Sequence, residues 1–224
     1  VFVTSSRADF GIMSSLINKL RINKLIDLNI IAIGSHLLSN FGSTVSEINI
    51  EKRKLHKLKI NFETKNPTNI TEFCSNLFVK ISKKYKYLKP DLVLLLGDRY
   101  EILIASFVAS IFKIPIVHFC GGDITTGSYD DKFRNAITQL SEYHFTTNNL
   151  SKNRVINLIG SKKNVFNFGH LSVDNLTNIK SFQKEQIEKK FKIKIKNNTF
   201  LITFHSLTNE KYKTEKVFVN LLKA

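Results

Sequence analysis

Apolar residues follow two rhythms along this chain. Short runs rich in Val, Leu, Ile and Phe occupy residues 1–4, 28–34, 55–62, 91–96, 114–119, 144–147, 165–168 and 200–204, and these read as strands. The run at 91–96, bounded by Pro90 and Gly97, has the continuous apolar character of a strand buried on both faces. Between the runs, apolar positions recur at helical spacing over 12–22, 69–87, 100–112, 150–159 and 181–191, with a last helix through Leu222. In the second of these, Ile70, Phe73, Leu77 and Ile81 share a stripe, and Thr68 or Thr71 is the expected cap. A further helix carries Phe133, Ile137 and Leu140 on one stripe behind Asp130 and Asp131, whose charges suit its positive end. Strand and helix in strict alternation predict a Rossmann-like α/β fold, a parallel sheet with helices on both faces.

This alternation also predicts where a ligand binds. Open parallel sheets take ligands at the carboxyl ends of their strands. Asp98 and Arg99 follow the 91–96 strand, Cys120 to Asp123 follow the 114–119 strand, and His36 follows the second strand through Gly34 and Ser35. Residues 5–11 read as a turn between the first strand and a helix. Such a loop is a default anion site, with Arg7 as a candidate donor, either to a ligand or to Asp9 beside it. Three carboxylates (Asp98, Asp123, Asp130), two arginines and several histidines thus gather near one sheet edge, a mixture suited to proton transfer beside an anionic leaving group.

Composition narrows the field. With 42% hydrophobic residues and 18 Phe in 224 residues, the chain has enough for a real core. No apolar run approaches a membrane span and no secretory leader is read. Two cysteines, Cys74 and Cys120, make neither a disulfide framework nor a metal pattern, so the expected home is the cytoplasm and no metal is expected. The net charge of +16 raises nucleic-acid binding as a competing reading. The lysines, however, are scattered in clusters such as 52–59, 83–89 and 189–196, without interleaved aromatics, which favours solvated surface. Organisation is read as one Rossmann-like unit over 1–170, a connector over 171–198, and the start of a second α/β unit over 199–224, cut short.

The motifs themselves are familiar. Thr4-Ser5-Ser6-Arg7-Ala8-Asp9-Phe10-Gly11, Gly34-Ser35-His36, Leu96-Gly97-Asp98-Arg99-Tyr100-Glu101 and His118-Phe119-Cys120-Gly121-Gly122-Asp123 come in order, followed by Gly127-Ser128-Tyr129-Asp130-Asp131, Arg134 with Ala136-Ile137-Thr138, and Phe204-His205-Ser206-Leu207-Thr208. In these pieces the chain resembles the UDP-N-acetylglucosamine 2-epimerase family, in particular its hydrolysing branch of sialic and legionaminic acid synthesis. The resemblance implies a two-domain GT-B-like fold with the substrate in the cleft, a homodimer as the intact protein, and no cofactor. It implies loss of the C2 proton with departure of UDP, then addition of water to release the 2-epimer as a free sugar. It carries catalytic roles onto Asp98, Asp123, Asp130 and His205, and substrate-binding roles onto Arg7, His36, Arg99, His118, Gly121, Gly122 and Arg134. Cys120 stands where relatives carry Glu or His, Asp123 where they usually carry Glu, and Asn135 and Glu142 each where a His is usual. Those departures keep a second reading open, a sugar-nucleotide-binding or glycosyltransferase-like protein without epimerase activity.

Overall fold

The computed structural model describes residues 1–39, 42–60, 66–177, 181–204 and 214–223. Its centre is a sheet of seven parallel strands: β1 (Phe2–Thr4), β2 (Ile30–Ala32), β3 (Leu55–Lys57), β4 (Val93–Leu96), β5 (Ile116–Phe119), β6 (Tyr143–Thr146) and β7 (Val165–Asn167). The strand order is β3-β2-β1-β4-β5-β6-β7, so the direction of winding reverses between β1 and β4. All four residues of β4 are buried, as its unbroken apolar character predicts, and all four of β5 are buried too, His118 among them.

Alternation along each strand sorts the core into two layers. Val3, Ile31, Val93, Leu95 and Ile116 point to the face covered by α2 (Pro67–Leu88) and α3 (Tyr100–Ile111). Phe2, Ile30, Ala32, Leu94, Val117 and Phe119 point to the opposite face, where Met13 and Ile17 of α1 (Arg7–Ile22) meet them. The helices α4 (Asp130–Gln139) and α5 (Asn149–Ile159) complete the alternation, and the short α6 (Ser172–Thr177) packs on α1. There the Asn175 amide donates to the Gly11 carbonyl at 2.7 Å and its oxygen accepts from the Ser15 N–H at 3.1 Å. The helices α7 (Lys184–Phe191) and α8 (Thr214–Lys223) follow.

Several local expectations need correction. Residues 7–11 are helix, not turn: Ser6 caps α1, and Asp9 reaches back to close a capping box. Helix α2 starts two residues before the expected 69, because Pro67 occupies its first turn and Asn66, rather than Thr68 or Thr71, accepts from the Asn69 N–H. Residues 200–204 form no strand. Phe200 and Leu201 are 85% and 98% exposed, and no described strand lies beside them to supply the hydrogen bonds that a strand requires.

Candidate functional site

At the β1/β4 reversal, a crevice of about 390 Å³ opens between the strand ends, lined by Ser6, Asp9, Gly97, Asp98, Arg99, Tyr100, Tyr129 and Asp130, among others. This is the switch point where the sheet splays its connections apart. Asp98 stands just past the end of β4, and Arg134 of α4 donates to its carboxylate. The same guanidinium donates to the Asp131 carboxylate and to the Asp123 carbonyl, each at 2.5 Å, and to the Thr125 hydroxyl at 3.2 Å. Arg134 is buried, so a single cation ties together the ends of β4, β5 and α4. Burial pushes the Asp98 carboxyl above the ordinary carboxylate range; the Arg134 cation pulls the other way, and the neighbouring Asp130 and Asp131 add to the rise. Asp130 begins α4 and accepts from the Ser128 hydroxyl at 2.5 Å.

Arg99 lies beside Asp98 on the crevice wall. Glu101, fully buried, takes two of its donors, Nε at 3.1 Å and Nη2 at 2.8 Å. Although burial opposes the charge, Glu101 holds the guanidinium protonated well beyond its usual range.

The first strand and helix present a different arrangement from the open anion site of the sequence reading. The Asp9 carboxylate itself accepts from the Ser5 N–H at 2.8 Å, the Ser6 N–H at 3.1 Å and the Thr4 hydroxyl at 2.5 Å. Burial opposes its ionisation, yet hydrogen bonds from His36, Thr4 and Ser5 hold it below the ordinary value. His36 sits behind that turn, 1% exposed. Its Nε2 meets the Thr4 hydroxyl at 2.9 Å and its Nδ1 meets the Thr44 hydroxyl at 2.9 Å. Thr4 gives its hydrogen to Asp9, so His36 Nε2 donates to Thr4 and braces the turn from within. Arg7 is exposed and pairs with Glu47 at 3.1 Å, not with Asp9.

The β5 loop is held from below. His118 is fully buried, and its Nε2 donates to the Gly97 carbonyl at 2.9 Å; its Nδ1 lies 3.1 Å from the Thr138 hydroxyl. Burial pushes its pKa down to about 4, so the ring is neutral. Gly121 and Gly122 pack closely against α4 and α5: a Cβ on Gly122, whose φ is +77°, would stand 2.3 Å from the Ser151 carbonyl oxygen. Cys120 is held at φ +63°, and burial pushes its thiol up to about 12, which removes the thiolate as a base near neutral pH. Asp123 turns toward α5, accepting from the Thr147 and Ser151 hydroxyls at 2.6 Å each. A second opening of about 690 Å³ lies there, shared by Asp123, Thr125, Arg134, Ser151 and Arg154. His205 lies outside the described residues. Asp98, Arg99 and Asp130 therefore share the crevice, with Arg134 bridging to the Asp123 side. Glu101, Asp9 and Asp131 also hold the site together, through Arg99, the first turn of α1 and Arg134 respectively, and of these contacts the Arg99–Glu101 spacing at a helix start is the one visible in the sequence.

A profile of the family described as UDP-N-acetylglucosamine 2-epimerase matches residues 18–224. The chain belongs to the UDP-N-acetylglucosamine 2-epimerase family. Within it, the chain is 35% identical over 221 residues to the GDP/UDP-N,N'-diacetylbacillosamine 2-epimerase (hydrolyzing) of Campylobacter jejuni, with 99% of this chain and 58% of that protein covered. It is 34% identical to the polysialic acid biosynthesis protein P7 of Escherichia coli, with 93% and 53% covered. The fold matches the crystal structure of the Neisseria meningitidis UDP-GlcNAc 2-epimerase bound to UDP-GlcNAc, with a TM-score of 0.69 at 22% identity over 85% of this chain and 52% of that one. The chain thus spans little more than half the length of these epimerase-family relatives. Among the described residues no helix is long and apolar enough to cross a membrane, and no cluster suits a metal ion.

Proposed function

We propose that the intact protein is a hydrolysing nucleotide-sugar 2-epimerase. Its substrate would be UDP-N-acetylglucosamine or a UDP- or GDP-linked 2,4-diacetamido relative, its products the free nucleotide and a free 2-epimeric sugar for nonulosonic acid synthesis. The observation that carries this reading is the pairing of Asp98 with Asp130 in one crevice at the β1/β4 reversal, with Asp98 raised toward the working pH. In the first step a carboxylate, assigned here to Asp98, takes the C2 proton while the C1–oxygen bond to the nucleotide breaks, leaving a C1–C2 double bond. In the second, water adds its hydroxyl to C1, and a proton returns to C2 from the other face, a role that suits Asp130. Burial holds the Asp98 carboxyl above its ordinary range, the direction that suits a group exchanging a proton near the operating pH.

In the proposal, Arg7, Arg99 and Arg134 face the anionic substrate or hold the groups that do, and Asp123 and His205 complete the family's set. His36, His118, Gly121 and Gly122 act through the turns that they brace. The likeness to the C. jejuni diacetylbacillosamine 2-epimerase favours a diacetamido sugar over N-acetylglucosamine. The organisation proposed is a first unit over 1–170, a connector over 171–198 and a second unit beginning at 199, in a cytoplasmic homodimer.

The test uses the full-length protein in D2O, with UDP-N-acetylglucosamine and the UDP- and GDP-linked diacetamido sugars as separate substrates, followed by proton and phosphorus NMR. Free nucleotide together with a C2-deuterated 2-epimer is expected from one of them, and none from Asp98→Asn. Nucleotide bound but never released would overturn the epimerase reading.

A further inference from the structure

Glu101 is 0% exposed, and among the described residues its only hydrogen-bonding partner is Arg99. A carboxylate so deeply buried is costly unless it is paired in good geometry. Here the pairing is bidentate and occupies the Nε and Nη2 edge of the guanidinium. The other edge, with Nη1, makes no hydrogen bond among the described residues, and Arg99 lines the crevice with its side chain 43% exposed. Turning that edge away would break the bidentate pairing, and Glu101 is fully buried with no second side-chain partner among the described residues. Its Oε1 lies 3.0 Å from where a Cβ on Gly34 would stand, and the Ser5 carbonyl oxygen lies 3.0 Å from that same point, Gly34 itself having φ +58°. The turns that follow β1 and β2 therefore stand against the buried Glu101 carboxylate.

We propose that Glu101 is a positioning residue that fixes Arg99 with its free edge toward the crevice, making a seat for the diphosphate of a nucleoside diphosphate. The identity of that anion rests on the epimerase reading; the seat itself rests on the Arg99–Glu101 geometry.

Binding of UDP and of inorganic pyrophosphate to the full-length protein, measured calorimetrically, tests it. Glu101→Gln keeps the shape and removes the charge, and Arg99→Lys keeps the charge and removes the fork. Each is expected to weaken both ligands by about tenfold. The double variant is expected to lose no more than either alone, since both changes remove one seat. Unchanged affinity in Glu101→Gln, or losses that multiply, would overturn the proposal. So would a wild-type protein that binds neither ligand. Should Glu101→Gln fail to fold, the Arg99 Nε–H resonance of the wild-type protein, assigned by its loss in Arg99→Lys, gives a second reading. It is expected to be protected from solvent exchange and to shift on adding UDP; a fast-exchanging resonance that ignores UDP overturns the idea. Normal ligand affinities without nucleotide release from any sugar nucleotide would leave the seat standing and remove the epimerase reading.

Discussion

Arg134, on the buried side of α4, closes on Asp98 at the end of β4, and this contact joins two elements 36 residues apart in sequence. The pairing does two opposed things to Asp98. It brings a cation that favours the ionised carboxylate, and it lies in a setting dry enough that the carboxyl is still raised above its ordinary range. Asp131 and the Asp123 carbonyl share the same guanidinium, so the geometry of the carboxylate cluster depends on one side chain.

Replacing that side chain is expected to show in both stability and pH dependence. Arg134→Gln leaves Asp98 and Asp131 without their cation and is expected to cost about 3 kcal/mol, the scale for breaking a buried pair. Urea unfolding of the full-length protein measures it. If Asp98 must be ionised to accept the C2 proton, losing the cation raises its pKa further, so the acid limb of kcat/KM moves to higher pH. A limb that stays in place would separate Asp98 from the proton transfer.

Two glycines are expected to respond in opposite directions to the same change. Gly122→Ala would place a methyl group 2.3 Å from the Ser151 carbonyl at a φ of +77°, so the β5 loop and α5 must part. A loss above about 2 kcal/mol is expected, from the overpacking and the left-handed backbone together. Gly11 lies inside α1 with nothing within 4 Å of its would-be Cβ. Gly11→Ala is expected to gain about 0.5–1 kcal/mol by helix propensity alone. Thermal unfolding of the two variants side by side checks both signs.

The parallel sheet was legible because each strand run and helix stripe carries its own period: Val3 and Phe2, or Leu95 and Leu94, already alternate between the two layers in sequence. Placement of Asp98, Arg99 and Asp130 at one edge follows from that topology. What the periodicity does not encode is the direction of a side chain after a strand ends. His36 follows β2 as Asp98 follows β4, yet it turns inward to Thr4 and Thr44, because two buried hydroxyls wait there. Asp123 turns toward Thr147 and Ser151, partners contributed by a strand end and a helix more than 20 residues further on. Asp9, a candidate partner of Arg7 on the sequence alone, is drawn under the first turn of α1 by four short-range donors. Each outcome depends on which polar groups the fold brings near, information absent from local spacing.

Cys120 directly follows β5, and its environment makes it a poor base near neutral pH. With the thiol pushed up to about 12, alkylation by iodoacetamide at pH 8 is expected to leave Cys120 largely unmodified in the folded protein and to go to completion on unfolding. Peptide mapping distinguishes it from Cys74, also raised by burial. Turnover by Cys120→Ala is expected to stay within about threefold of wild type, since no thiolate takes part. Loss of most activity in that variant would return the residue to the chemistry.

The Asp9 turn gives a prediction on stability alone, independent of any reaction. Its folded pKa is held below the ordinary value of 3.8 by donors from Thr4, Ser5 and His36, so the ionised carboxylate is stabilised by folding. A depressed carboxyl contributes stability that is fully present above its unfolded pKa and is lost as pH falls through its folded one. Asp9→Asn replaces an acceptor with an amide that points hydrogens at the Ser5 and Ser6 N–H groups, and is expected to cost about 2 kcal/mol at neutral pH. The gap between wild type and variant should hold constant from pH 7 to pH 5 and shrink below about pH 4. Urea unfolding at pH 7, 5 and 3.5 measures it. A gap that widens in acid would mean that the carboxyl folds protonated and that the turn is held by Ser6 and His36 without it.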